Sequence, residues 1–330
     1  MKNPAIFPWF DNTIKALQDK NLSHAYLISG NEGLGKIDFC NLFAQSLLCP
    51  NRDNFFPCEK CKSCKLFISH NHPDLYLISK EEDKTFISIN QIRDIQSSVF
   101  ETAFMGGSKV FLINRCELMN SEASNSMLKI LEEPPKNTFF ILTSNSSKSI
   151  SLTVRSRCIE MQIPNPSDAQ IINWLDQTDL NRDESLKILS LNRKNISTLI
   201  KQDNSQILED RQSFINEIGL FIKQGHNLLE VSSSWSKEPT SLTLHLDWMS
   251  RLLMDALRFK TGSSLIQVQE DSKIISKYLA QKVTHQVLCS LLFSTNSLWN
   301  LFKNGTSLKP DYHLRSLLID WGQKLNISTQ

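Results

Sequence analysis

The sequence has no long apolar run and almost no excess charge of either sign. No stretch approaches the roughly 18 uninterrupted apolar residues that a membrane-spanning helix needs, and Pro4 and Pro8 interrupt the N-terminal segment before a signal-peptide core could form. The 36 basic and 34 acidic residues leave a formal net charge of +2, which argues against a dedicated high-affinity nucleic-acid binder. We therefore expect a cytoplasmic protein with no membrane partner.

A hydroxyl residue is missing from the end of a recognisable phosphate-binding loop. Residues 30–37 read Gly-Asn-Glu-Gly-Leu-Gly-Lys-Ile, and Ile37 stands where a Ser or Thr would coordinate Mg²⁺. The positions that match a phosphate cradle are Gly30, Gly33, Gly35 and Lys36. Because Lys36 would still point at a bound phosphate, ATP or ADP binding without hydrolysis stays open.

Acidic residues are also missing from the end of the strand that should complete a magnesium site. Lys109–Ile113 is a short apolar run typical of a buried parallel strand, and Asn114 and Arg115 follow it. Hydrolysis would need carboxylates there to hold the metal ion. Glu117 lies further along, and we interpret it as a solvated charge in a turn. The sequence thus predicts no Mg²⁺ site and no intrinsic ATPase activity.

Disulfides are not expected in a cytoplasmic protein, yet four of the eight cysteines crowd into sixteen residues. They are Cys49, Cys58, Cys61 and Cys64. Four thiolates make a closed tetrahedral zinc shell with no open position for a substrate. We therefore predict a structural Zn²⁺ site in residues 49–64, here named the cysteine module, since a redox pair would not need the fourth cysteine.

Other candidate ligands and cysteines have plainer interpretations. His70 and His72 could each replace one cysteine at the metal, but we interpret both as loop histidines. Cys40 and Cys289 lie in apolar stretches, and we interpret both as small core residues.

Strands and helices alternate in the first half of the chain. Short apolar strands are predicted at residues 25–29, 74–78, 109–113, 138–143 and 159–163. Helices are predicted at residues 36–48, 89–102 and 121–132, the last ended by Pro134 and Pro135. Helices that separate short apolar strands imply a parallel sheet covered on both faces.

Only helical patterns follow residue 163. Short ones are predicted at Asp168–Leu175 and Glu184–Leu191, and a longer amphipathic one at Leu244–Phe259. We interpret the apolar face of the longest as the core of a helical bundle. The chain is therefore divided into an α/β domain (residues 1–163), a small helical domain (164–204) and a larger helical domain (205–330).

Four motifs resemble bacterial clamp-loader subunits of the AAA+ class. In order, they are residues 30–36, the four-cysteine insert, Leu131–Pro135 and Ser156-Arg157-Cys158. In lacking the hydroxyl and the acidic residues, the chain resembles a non-hydrolysing member of that family. The resemblance implies an α/β P-loop AAA+ core with a zinc-binding insert, followed by a small helical lid and an all-α C-terminal collar domain used for oligomerisation.

The resemblance also implies a role for Arg157, with Ser156 and Cys158 completing its motif. The chain would be a stator in a five-subunit ring with gamma/tau ATPase subunits and a delta subunit, which loads a sliding clamp onto primed DNA. Arg157 would be an arginine finger that reaches ATP on a neighbouring subunit. From the residues alone, Arg155 and Arg157 would be solvated charges before a strand, and the role of Arg155 stays undecided. Arg193 in the lid is assigned no nucleotide-sensing function.

Two other functions stay open at this point. A catalytically active AAA+ motor would need an unorthodox metal site, given Ile37, Asn114 and Arg115. A zinc-ribbon nucleic-acid-binding protein would show salt-dependent affinity for DNA. For that role the cysteine module offers only three interleaved lysines and one aromatic pair, at residues 55 and 56.

Overall fold

The computed structural model describes residues 7–18, 22–81, 84–178, 180–191, 196, 204–224, 228–236, 239–262, 269–303 and 308–326. The chain forms two compact units. The first contains residues 1–185 and 195–201, and the second contains residues 186–194 and 202–330. The finer division at residues 163 and 204 stays a prediction, and Arg193 lies outside the described residues.

Five parallel strands form the sheet of the first unit, in the order β2-β3-β4-β1-β5. They are β1 (Ala25–Ser29), β2 (Leu75–Ile78), β3 (Lys109–Ile113), β4 (Thr138–Ser144) and β5 (Ile159–Gln162). Strand β1 lies between β4 and β5, with Tyr26 opposite both Ile141 and Ile159. Every residue of β1 and β3 is buried, which explains why these strands have continuous apolar sequences. All five predicted strands are confirmed to within one residue at each end.

Eight helices accompany this sheet in chain order among the described residues. They are α1 (Asp11–Leu17), α2 (Lys36–Leu48), α3 (Lys62–Ile68), α4 (Ile89–Phe100), α5 (Ser121–Glu132), α6 (Leu152–Arg155), α7 (Asp168–Leu175) and α8 (Arg182–Leu191), which spans the boundary between the units. Local signals set several of the ends. Ser88 and Gln91 form a reciprocal capping box at the start of α4, and the Asn120 side chain caps α5.

Helices cover both faces of the sheet, as predicted. On one face, the ring of Tyr26 packs edge-on against Phe43 of α2, with centroids 5.1 Å apart. On the other, side chains of alternate strand residues such as Leu27 and Phe111 share a buried cluster with Ile92 of α4 and Met127 of α5. The first unit therefore has the predicted α/β core, a parallel sheet with helices on both faces.

The second unit is helical throughout its described residues. Its further helices are α9 (Asn204–Gln224), α10 (Leu228–Trp235), α11 (Pro239–Thr261), α12 (Lys273–Lys282), α13 (His285–Lys303) and α14 (Pro310–Lys324). Helix α11 packs against α12 and α13, and Leu246, Met249 and Leu252 on its apolar face are fully buried. The predicted all-α C-terminal part with a bundle core is confirmed.

Two interior side chains of this unit show how its polar groups are accommodated. Arg211 forms a bidentate ion pair with Asp271, at 2.8 and 2.9 Å, which provides the buried guanidinium with fixed acceptors. His245 stacks on Trp235 with centroids 4.7 Å apart, and burial lowers its pKa to about 4. These residues are part of the core.

The core interpretation is correct for Cys40 and wrong for Cys289. Cys40 is fully buried in α2, but Cys289 is exposed on α13. The helical register explains the error, because Leu288 and Leu291 point inward while Cys289 and Ser290 between them are exposed. Among the described residues, no helix has both the length and the apolar character needed to cross a membrane.

Candidate functional site

The phosphate loop has the backbone conformation that its glycines require. Gly33 and Gly35 have φ angles of 83° and 78°, a region that favours glycine because it has no Cβ. Helix α2 begins directly after Gly35, so its N-terminal N–H groups face the loop as in a phosphate site. A Cβ on Gly35 would lie 2.2 Å from a ring carbon of Phe7. The loop is therefore formed, and an aromatic ring packs directly on it.

The ammonium group of Lys36 is bonded entirely within the chain. Its Nζ donates to the carbonyl oxygens of Gly30 and Asn31, at 2.8 and 2.7 Å, and to Oδ1 of Asn145 at 2.9 Å. These bonds use all three of its donors. Burial lowers its pKa to about 8, against the opposing effect of nearby Glu117. Lys36 is thus folded over the loop, and only 9% of the residue is exposed.

An aromatic cluster that the sequence analysis missed covers the loop. The rings of Phe7 and Trp9 are stacked with centroids 4.6 Å apart, and Trp174 of α7 lies edge-on to Phe7 at 5.3 Å. Trp9 Nε1 donates to the carbonyl oxygen of Leu34 in the loop, at 3.1 Å. In the sequence, the only indication of this cluster is the density of aromatic residues before α1. Their spacing does not indicate that they pack on the phosphate loop.

An amide that follows β3 and a hydroxyl near the end of β4 bond to each other. The Thr143 hydroxyl donates to Asn114 Oδ1 at 2.9 Å and accepts from the backbone N–H of Arg115 at 2.8 Å. Neither Asn114 nor Arg115 supplies a carboxylate, as the sequence indicated. The side chains of Asn114 and Thr143 are therefore bonded to each other where these two strands end.

The interpretation of Glu117 as a solvated charge is wrong. Its side chain is only 12% exposed, and its Oε1 accepts the backbone N–H of Asn145 at 3.3 Å. The reason is local, because Arg115 adopts a left-handed conformation with φ 56° that turns the following residues back towards the loop. One carboxylate thus lies near Lys36, a feature that a count of residues past the strand could not reveal.

The four thiols of the cysteine module lie together. Their Sγ atoms are all within 4.8 Å of one another, and those of Cys49 and Cys61 are 3.9 Å apart. A tetrahedral zinc site with Zn–S bonds of 2.3 Å has S–S edges of about 3.8 Å. The backbone N–H groups of Cys58 and Cys64 donate to the sulfurs of Cys49 and Cys61, at 3.3 and 3.4 Å. The donor set and its dimensions therefore fit a structural metal ion.

Two contacts attach the module to the α/β core. Phe55 stacks on both Phe39 and Phe43 of α2, with centroids 5.9 and 5.7 Å away. Ser63 Oγ donates to the carbonyl oxygen of Leu48 at 2.8 Å. The module is thus packed on the helix that follows the phosphate loop.

His72 extends this attachment rather than binding a metal. Because the Ser63 hydroxyl already donates to a carbonyl, it accepts from Nε2 of His72, 2.8 Å away. His72 Nδ1 accepts the backbone N–H of Asp74 at 3.1 Å, so the ring is the neutral Nε2–H tautomer. Burial lowers its pKa. His70 is exposed, and both histidines lie in the predicted loop.

Arg157 lies just beyond α6 and is held by its own chain. Its Nη1 donates to the carbonyl oxygen of Thr153 at 2.8 Å and to Ser156 Oγ at 3.3 Å. Its Nη2 forms a charged hydrogen bond with Glu132 at the end of α5. The Arg157 side chain is 32% exposed, so the guanidinium is both anchored and accessible.

The neighbours of Arg157 have different environments. Arg155 forms its own ion pair with Glu160 of β5, at 2.7 Å. Cys158 is partly buried, and burial raises its pKa to about 12. Among the described residues, the hydrogen bonds of Arg157 involve neither the phosphate loop nor the cysteine module, so the predicted site residues fall into three separate groups.

Comparisons with known proteins agree along most of the chain. The family model described as DNA polymerase III, delta subunit matches residues 8–167, and that of its C-terminal part matches residues 205–323. The chain is 30% identical to DNA polymerase III subunit delta' of Pseudomonas aeruginosa over 258 residues, which cover 77% of this chain and 78% of that one. The corresponding protein of Haemophilus influenzae is 29% identical over 304 residues and 87% and 91% of the two chains.

Solved structures give weaker similarity. A gamma subunit-related protein of DNA polymerase III from Thermotoga maritima aligns with a TM-score of 0.46 and 16% identity, over 95% of this chain and 99% of that one.

Proposed function

Because the chain belongs to the family of DNA polymerase III delta' subunits, we propose that it acts as a non-hydrolysing stator of the clamp loader. Its partners would be the gamma/tau ATPase subunits and the delta subunit in a five-subunit hetero-oligomeric ring in the cytoplasm. The ring would load the sliding clamp onto primed DNA for the polymerase, whose nucleotidyltransferase activity belongs to the holoenzyme. The observation that carries the proposal is the chemistry of the phosphate loop.

The phosphate loop lacks the magnesium ligand that a motor needs, and its lysine is already hydrogen-bonded within the chain. Ile37 cannot coordinate Mg²⁺, and Asn114 and Arg115 replace the carboxylates of the second strand. To contact Lys36, a bound phosphate would have to replace at least one of its three protein acceptors. We therefore propose that this subunit neither hydrolyses nor requires ATP or ADP.

We propose that Arg157 is the side chain of this subunit that contacts a nucleotide, one bound to a neighbouring subunit. A planar guanidinium can bind phosphate oxygens with two parallel hydrogen bonds and stabilise developing charge during phosphoryl transfer. The Thr153 carbonyl and the Ser156 hydroxyl hold Nη1 in place, which reduces the entropy lost on engagement. Arg157 would act as an arginine finger on ATP bound by the adjacent motor subunit.

The experiment is ATP turnover by a reconstituted loader in which the adjacent motor is the only hydrolysing subunit. With Arg157→Ala, turnover stimulated by clamp and primed DNA should fall by roughly 10³-fold or more, provided that assembly is equal by size-exclusion chromatography. Arg155→Ala is the matched control, because Arg155 is paired with Glu160. Unchanged turnover in the Arg157 variant would leave only a scaffolding role.

The cysteine module and the helical unit have proposed supporting roles. We propose that Cys49, Cys58, Cys61 and Cys64 hold a structural Zn²⁺ ion. The region 205–330 is proposed as the collar domain that joins neighbouring subunits, and exposed apolar side chains support this role. They include Ile274, Phe293 and Tyr312, which are 79%, 76% and 64% exposed.

A hydrolysing motor is the second candidate, and Glu117 is the observation that favours it. This partly buried carboxylate lies close enough to Lys36 to oppose the lowering of its pKa by burial. The purified chain would then hydrolyse ATP, and Lys36→Ala would abolish the activity. We expect no activity above background in either protein.

A further inference from the structure

The ion pair between Arg157 and Glu132 links two of the motifs in the sequence. Glu132 is the last residue of α5 and the first glutamate of Leu-Glu-Glu-Pro-Pro, where Pro134 and Pro135 follow the end of the helix. Its carboxylate bonds to Nη2 of Arg157, and the two side chains are 48% and 32% exposed. The pair therefore lies at the surface, where an incoming anion could reach it.

The geometry of the guanidinium decides what such an anion must do. Arginine offers two edges with parallel donors, Nε with Nη2 and Nη1 with Nη2. Both edges include Nη2, which is the atom that Glu132 occupies. The Nη1 atom is bonded to Thr153 and Ser156, and Nε, which has no hydrogen-bond partner, is buried and closed to an incoming anion. Nη2 has a second hydrogen, but an anion bound there would lie beside the Glu132 carboxylate, a like charge. A phosphate can therefore form a two-bond contact at the Nη1–Nη2 edge only by replacing a present partner, and Glu132 is the partner that it repels.

We propose that Glu132 is a positioning residue that keeps Arg157 paired until the triphosphate on the neighbouring subunit replaces its carboxylate. The inference rests on the proposed function of Arg157 as an arginine finger. Engagement is then an exchange of one anion for another, and Glu132 sets how tightly the neighbour's ATP must bind to complete the site.

The size of the effect follows from the exposure of the pair. Exposed ion pairs contribute about 0.2–1 kcal/mol, so removal of the competing charge should tighten nucleotide binding by roughly 1.5- to 5-fold. Once the phosphate contact has formed, Arg157 is the same in both proteins, so kcat should not change. The difference should shrink as salt rises, because exposed charges are screened.

The chain provides two matched controls for the substitution Glu132→Gln. Glu133→Gln removes the same charge one residue later, where the carboxylate has no hydrogen bond or ion pair among the described residues. Glu160→Gln breaks the similar pair with Arg155. If general surface charge caused the effect, all three variants would behave alike.

The test measures the affinity of the reconstituted loader for ATPγS and its kcat for ATP. With Glu132→Gln, the Kd for ATPγS should fall 1.5- to 5-fold at unchanged kcat, while both control variants match the wild type. Introduced together with Arg157→Ala, Glu132→Gln should have no further effect on Kd. An unchanged or higher Kd, or a tightening that persists without Arg157, would overturn the inference.

The same experiment separates this inference from the proposed function. If Arg157→Ala alone leaves turnover unchanged, the arginine finger fails and the inference fails with it. If Arg157→Ala lowers turnover but Glu132→Gln behaves like Glu133→Gln, only the role of Glu132 fails. A loss of kcat in Glu132→Gln at unchanged Kd would also count against the exchange, since it would mean that Glu132 orients Arg157 during the reaction.

Discussion

The phosphate loop and the cysteine module both gather polar groups into a small volume, but they satisfy those groups differently. In the loop, Lys36 bonds to three acceptors of the same chain. In the module, the four sulfurs mainly face one another, and four thiolates that close repel unless a cation lies between them. The polar groups of the loop are thus satisfied from within the chain, whereas the four sulfurs of the module are arranged to share a metal ion.

The largest expected effect is loss of the metal from the module. Cys64→Ser should remove zinc and unfold residues 49–64, because zinc binding contributes on the order of 10 kcal/mol to folding in small zinc peptides. Zinc content by atomic absorption and limited proteolysis near residue 60 would measure both changes. Cys289→Ser is the control, since that cysteine is exposed on α13. Full zinc content in the Cys64 variant would contradict the four-thiolate site.

The second test removes the internal partner of the phosphate loop. Lys36→Met should lower the free energy of unfolding by about 3 kcal/mol, because it leaves the acceptors on Gly30, Asn31 and Asn145 without their donor. Urea denaturation would measure the loss, with the exposed Lys136→Met as the control. A variant as stable as the wild type would mean that Lys36 has no structural role and is free for a ligand.

The third test concerns the attachment of the module through His72. His72→Gln should cost about 1–3 kcal/mol, because Ser63 and the Asp74 N–H lose a well-placed partner. In the wild type, the lowered pKa of His72 means that the unfolded chain binds a proton first as the pH falls below about 6.5. Stability should therefore decline with acid more steeply in the wild type than in the variant. Equal slopes in urea denaturation, or a similar loss in the exposed control His70→Gln, would argue against this role.

The smallest expected effect is that of added nucleotide. We expect ATP at about 1 mM to shift the thermal midpoint by less than about 1 °C. If the Kd were equal to that concentration, bound ATP would stabilise the protein by about 0.4 kcal/mol. Differential scanning fluorimetry would record the shift. A larger increase that disappears in Lys36→Met would show that the loop binds nucleotide after all, and the contrast with the module would then be lost.

The sequence predicted those features that depend on local pattern. Buried parallel strands such as β3 are continuous apolar runs, and Pro134 and Pro135 mark the end of α5, so both elements were found within a residue or two. The cysteine cluster was predictable because two Cys-x-x-Cys steps fix the thiols locally. These signals need no knowledge of the tertiary structure.

The features that were missed depend on contacts distant in sequence or on single backbone angles. The left-handed conformation of Arg115 buries Glu117, and no residue type at that position signals it. Phe7 reaches Gly35 across almost thirty residues, and Arg157 reaches Glu132 across 25. The role predicted for Arg157 follows from a family resemblance, whereas its pairing with Glu132 is evident only in the three-dimensional structure.

The contact between Phe7 and Gly35 has a consequence for how such sequences are read. A side chain at position 35 would meet the Phe7 ring and would also strain the backbone. Selection can therefore retain this glycine for packing alone, whether or not a phosphate ever binds. A motif search cannot distinguish a glycine preserved by an aromatic neighbour from one preserved by a nucleotide. In this chain, a complete glycine signature is therefore not by itself evidence that a nucleotide binds.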